Sequence, residues 1–117
     1  MGTADSVAEL IEEQKGDVLL IKIKGRLDAV SSPTAEKKVF DRINEGHHKM
    51  VLEIGAVTYI SSAGMRMLLS TTKKIRTLSG KLCICGMSSN VLDVLKMSGF
   101  DHILELHATE EEALKKF

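Results

Sequence analysis

The residues "VLEIGAVTYISSAGMRMLL", 51–69, decide how this chain folds. An apolar, strand-like run ends at Ile60, and a run rich in Met and Leu begins at Met65. Between them stand Ser61, Ser62, Ala63 and Gly64. The first run predicts a strand over 49–56, "KMVLEIGA". The second continues to residue 80 with Met65, Leu68, Leu69, Thr72, Ile75 and Arg76 at helical spacing, and Gly80 as its stop. A strand feeding a helix through a short polar loop is half of a βαβ unit.

The same alternation extends in both directions. "VAELIEEQ" (7–14) and "VLLIKIKG" (18–25) alternate apolar and polar residues around "KGD" and predict a hairpin. "RLDAVSS" (26–32) is expected to be a loop, with Ser32 as N-cap and Pro33 opening a helix that runs to about Asn44. Ala35, Val39, Phe40 and Ile43 share one face of that helix, and Gly46 stops it. Beyond residue 80 come a buried strand "KLCICG" (81–86), a helix over 88–99, a strand "HILELH" (102–107) and a helix over 109–117. Thr109 and Glu112 form the pattern of a capping box. The order β-β-α-β-α-β-α-β-α predicts an α/β domain spanning 1–117, with parallel strands joined by helical crossovers. In such sheets functional groups collect beyond the carboxyl ends of the strands, where Ser61, Ser62 and the loop holding Asp28 are expected to meet.

Composition excludes several classes. The 117 residues suffice for one domain with its own core, and hydrophobic and charged fractions of 44% and 27% are ordinary for a soluble protein. Lys plus Arg and Asp plus Glu both number 16, so the formal charge is zero, and aromatics are 3% with no Trp. Neither a phosphate-backbone binder nor a base-stacking platform has that composition, so no direct nucleic-acid partner is expected. No apolar run is long enough to span a membrane, and the start lacks the basic and apolar regions of a signal peptide. The first six residues fit the loose myristoylation pattern Met-Gly-x-x-x-Ser; a cloning remnant and a small residue suited to removal of Met1 are the competing accounts of Gly2. Cys83 and Cys85 are expected on one strand face as small core residues of a reducing cytoplasm, not as a disulfide.

The serine pair has three readings. A serine at a helix start caps an unpaired N–H, which contributes about 1 kcal/mol, but one serine suffices. A nucleophile needs a base and a strained elbow. The loop is not G-x-S-x-G, and none of His47, His48, His102 and His107 is placed as a base. A phosphoacceptor fits better: a phosphate at a helix N-terminus is tolerated by the helix dipole, yet repels and desolvates a partner surface. Small neighbours leave the hydroxyl accessible. With no P-loop or G-x-G-x-x-G motif, ATP would be held by a partner, and neither a cofactor nor a metal of this chain's own is expected.

Two segments carry a resemblance. "IKGRLDAVSSPTAEK" (23–37) is similar to the second strand, Asp-bearing loop and first helix of the bacterial anti-sigma factor antagonists, which are single STAS domains. "VLEIGAVTYISSAGMRMLL" resembles their central strand, phosphoserine loop and second helix. The resemblance implies a mixed β-sheet with about four helices and a cytoplasmic partner switch without catalysis. The unphosphorylated form binds an anti-sigma factor that is also a serine kinase, freeing a sigma factor. Phosphorylation ends binding, and a PP2C-type phosphatase resets the protein. Ser62 aligns with the phosphorylated serine and Ser61 is the lesser candidate. Gly64 matches the small residue of the helix start, and Asp28 the acidic residue of the neighbouring loop. Ser61 stands where many members have Asp, and Ala63 where many have Ser or Thr. Met65 and Arg66, with Asp28, Ser61 and Gly64, are the expected partner-binding residues. For Met65, Met67 and Leu68 a core role competes with partner contact, as does plain solvation for Arg66. The alternative function is a phosphorylation-regulated STAS module that controls another enzyme, a secretion regulator or a lipid-transport complex. Nothing in the sequence demands an oligomer, so a monomer is expected.

Overall fold

The computed structural model describes residues 7–117; the N-terminal Met-Gly-x-x-x-Ser pattern lies outside them. Among the described residues are β1 (Ala8–Lys15), β2 (Val18–Leu27), α1 (Ser32–Asn44), β3 (Lys49–Ile60), α2 (Ser62–Thr77), β4 (Lys81–Cys85), α3 (Ser89–Met97), a 3-10 turn (Phe100–His102), β5 (Leu106–His107) and α4 (Glu110–Leu114). The strands form one sheet in sequence order, β1-β2-β3-β4-β5. β1 pairs antiparallel with β2 across the predicted hairpin, and β2 through β5 run parallel. The fold is therefore the predicted mixed α/β sheet.

Parallel neighbours in sequence order, joined by crossovers of one hand, keep successive helices on one face. Leu19, Ile21, Ile23, Met50, Leu52, Ile54, Leu82 and Ile84 face that side. They pack on Ala35, Val39 and Ile43 of α1, Met67, Leu68 and Ile75 of α2, and Val91 and Leu95 of α3. Full burial of each large aliphatic side chain contributes about 1.5–3 kcal/mol. The alternate residues Val18, Leu20, Val51, Cys83 and Cys85 face the other way and are covered by Ala113, Leu114 and Phe117 at the C-terminal end. Both cysteines are buried free thiols, and burial pushes their pKa up to about 12.

Several boundaries differ from expectation. β3 continues to Ile60 through two register shifts against β2, between Lys22 and Lys24 and between Gly25 and Arg26. Such bulges break the two-residue alternation that marks a strand in sequence. Arg26 and Leu27 belong to β2, not to the loop. Ser32 is already inside α1; the cap position is Ser31, whose hydroxyl makes no capping bond. Ser79, at φ 59°, takes the left-handed position after α2 rather than Gly80. Gly80 is needed for room: a Cβ there would lie 2.3 Å from the His48 carbonyl oxygen. Arg76 is exposed and not on the buried face of α2. The last strand shrinks to Leu106–His107: His102 ends the 3-10 turn, Ile103 and Leu104 turn and bend, and α4 ends at Leu114. Thr109 accepts the Glu112 N–H at 3.1 Å, but no reciprocal bond from the Glu112 carboxylate completes a box among the described residues.

Candidate functional site

The carboxyl ends of β2 and β3 lie side by side, Leu27 paired with Ile60. The backbone N–H of Ser61 donates to the Leu27 carbonyl at 2.8 Å, so the loop after β2 and the start of α2 are joined through the main chain. Gly64 makes that approach possible. It is buried, and a Cβ on it would sit 2.6 Å from the Leu27 carbonyl oxygen and 2.8 Å from Ile60 Cγ1. Its contribution is thus to bring the helix start down onto β2.

The two serines are not equivalent. Ser61 is the N-cap of α2, with extended backbone (φ −96°, ψ 177°), and its Oγ accepts the Gly64 N–H at 3.4 Å. It is half-buried. Ser62 is the first residue of the helix and is exposed; among the described residues its hydroxyl makes no hydrogen bond, and no titratable side chain is bonded to it. Capping therefore accounts for one serine and leaves the other hydroxyl free at the positive end of a 16-residue helix. A serine nucleophile needs a hydrogen-bonded base, and among the described residues none is bonded to this hydroxyl.

Asp28 organises the neighbouring loop. Its Oδ1 accepts the N–H groups of Val30 and Ser31, both at 3.0 Å, and the Ser31 hydroxyl lies 3.2 Å away. Its Oδ2 faces Arg26 Nε at 3.6 Å. The Ser31 amide bond has the largest effect on the carboxyl; burial opposes it, and the Val30 amide, the Ser31 hydroxyl and the Arg26 charge reinforce it, so the pKa lies below its ordinary value. No hydrogen bond joins Asp28 to Ser61 or Ser62 among the described residues. A folded-state pKa below the unfolded value stabilises the loop above about pH 4, and that stabilisation is lost as pH falls through the lowered value. In Asp28→Ala the Val30 and Ser31 amides are expected to lose hydrogen-exchange protection at neutral pH, as in the wild type only under acid. Unchanged protection in the variant would show that the loop does not depend on this carboxylate.

Met65 is half-buried and packed on the core, Met67 and Leu68 are core, and Arg66 is exposed. Arg66 borders a groove of about 280 Å³ between α1 and α2, with Pro33, Glu36, Ala63 and Ser70. The Ser70 hydroxyl donates to the Glu36 carboxylate and ties the two helices. Sequence reasoning missed two surface residues beside the serines. Arg26 lies over the Tyr59 ring, 4.4 Å from its centroid, a contact created by their pairing across β2 and β3. Tyr59 and Val30 are 43% and 67% exposed. Tyr and Arg are residue types enriched at protein–protein interfaces.

The STAS domain model matches residues 9–113. BtrV of Bordetella bronchiseptica, provisionally named an anti-sigma factor antagonist, is 29% identical over 100 residues, covering 86% of each chain. A crystal structure of an anti-sigma factor antagonist from Mycobacterium paratuberculosis superposes with a TM-score of 0.88 at 19% identity, covering 97% of this chain and 96% of that one. The Bacillus cell fate determinant SpoIIAA in its phosphorylated form superposes at 0.69 with 20% identity, covering 92% and 98%. These two likenesses are of fold. No described helix is long and apolar enough to cross a membrane.

Proposed function

Because this chain belongs to the STAS domain family, we propose that it is an anti-sigma factor antagonist whose binding is switched by phosphorylation of Ser62. The observation that carries this reading is the division of labour between adjacent serines: Ser61 caps the helix, and Ser62 offers an exposed hydroxyl that makes no hydrogen bond among the described residues. The names of the relatives support the same role.

In this reading the unphosphorylated surface around Ser62, with Arg66, Met65, Tyr59 and the Asp28 loop, docks on an anti-sigma factor. That partner is also a serine kinase and holds the ATP. Ser61 and Gly64 set the helix start on which the contact is built. Transfer of the phosphoryl group places about two negative charges at the helix N-terminus. The folded chain tolerates them there, whereas the interface loses contacts to repulsion and desolvation. A PP2C-type phosphatase restores the hydroxyl. The protein acts in the cytoplasm as a single domain without catalysis of its own.

The test is peptide mass spectrometry on the protein isolated from its own cells. One phosphate is expected on the peptide holding residues 61–62, retained in Ser61→Ala and absent in Ser62→Ala. A phosphate lost only in Ser61→Ala would move the switch to the capping serine. No phosphate under any growth or stress condition would leave a STAS binding module whose serines only shape a helix start.

A further inference from the structure

On the sheet face covered by α4, at the β4–β5 edge, three side chains of different chemistry converge. Cys83 comes from β4, His107 from β5, and Glu105 from the residue just before β5. Their candidate ligand atoms all lie within 4.8 Å of one another. The main chain sets this up: the Ile84 N–H donates to the Glu105 carbonyl at 2.9 Å and the Gly86 N–H to that of His107 at 3.3 Å. Glu105 and His107 are two apart in extended chain, so both side chains point to the face that holds Cys83. Cys83 is fully buried; the Glu105 and His107 side chains are 33% and 15% exposed.

We propose that Cys83, Glu105 and His107 form a binding site for a zinc-type transition-metal ion, independent of the serine switch. A thiolate, an imidazole and a carboxylate are a ligand set that zinc accepts, while magnesium and calcium do not recruit sulfur or imidazole. Tetrahedral zinc with bonds of about 2.0–2.3 Å places ligand atoms roughly 3.3–3.7 Å apart, so small side-chain rotations bring the cluster to coordinating distance. On loading, the Cys83 thiol proton leaves by way of the partly exposed Glu105 and His107 to solvent, and the sulfur–metal bond forms. The Glu105–His107 contact, 2.8 Å between Oε2 and Nε2, opens to admit the ion. The Lys81 ammonium, 3.7 Å from Glu105, gives up that carboxylate. Thiolate and carboxylate together balance a dication, so the loaded site is neutral. Water fills the fourth position from the cleft that His107 lines with Glu112, Lys115 and Lys116. The ion would staple a two-residue edge strand to the strand beside it.

Cobalt titration of the full chain tests this, since a cobalt–thiolate bond gives a near-ultraviolet charge-transfer band. One equivalent is expected to bind, with the band abolished by zinc displacement, lost in Cys83→Ser and strongly reduced in His107→Gln. Cys85→Ser, a second buried thiol outside the cluster, is expected to keep the band. Zinc is expected to raise the unfolding temperature of the wild type and of Cys85→Ser but not of His107→Gln, a partly exposed position that guards against misfolding of the Cys83 variant. Absence of the band in the wild type, or its persistence in Cys83→Ser, overturns the site.

Discussion

Ser62→Asp is expected to weaken binding to the cognate anti-sigma factor by on the order of a hundredfold, while Ser62→Ala binds like the wild type and no longer responds to kinase and ATP. The size follows from interface electrostatics: an uncompensated charge buried against a partner costs several kcal/mol, and each 1.4 kcal/mol is about tenfold in affinity. The same aspartate does not unfold the chain. A negative charge in the first turn of a helix contributes about 0.3–1 kcal/mol in its favour, and Ser62 is exposed with no hydrogen bond to lose among the described residues. Titration calorimetry beside thermal unfolding separates the two effects. Equal affinity for Asp and Ser at position 62 would remove the charge mechanism, whatever the phosphorylation state in cells.

Gly64→Ala is expected to destabilise the fold by about 1–2 kcal/mol, and Gly64→Val by more. Two effects oppose each other. Alanine gains up to about 1 kcal/mol over glycine in a helix interior, and overpacking a tight site costs about 1–3 kcal/mol. Overpacking wins because the nearest neighbour is the Leu27 carbonyl oxygen at 2.6 Å, main chain of a central strand that cannot turn aside as a side chain would. Relief requires the helix start to lift, which stretches the bond from the Ser61 N–H to that carbonyl. Urea unfolding with an unchanged m-value would report the loss as one of stability alone. The same displacement moves Ser62, so phosphorylation by the cognate kinase is expected to slow in the alanine variant. A Gly64→Ala protein as stable as the wild type would show that the helix start lifts off Leu27 at no cost.

The local code of this chain is legible wherever neighbouring residues alone set the backbone. Apolar spacing, together with Gly16 and Thr109 at element ends, located the hairpin, the order of strands and helices, and a serine pair at a helix start. These depend on sterics and hydrogen bonds within a few residues. The resemblance drew attention to Ser62 over Ser61, yet the physical distinction between them is tertiary. Ser61 becomes the cap because its N–H reaches Leu27 across the sheet and Gly64 admits the contact. The bulges that carry β3 to Ile60, the stacking of Arg26 on Tyr59, and the meeting of Cys83 with Glu105 and His107 are likewise set by strand pairing between residues far apart in the chain. Periodicity says which face a side chain prefers; only register says which side chain it meets there.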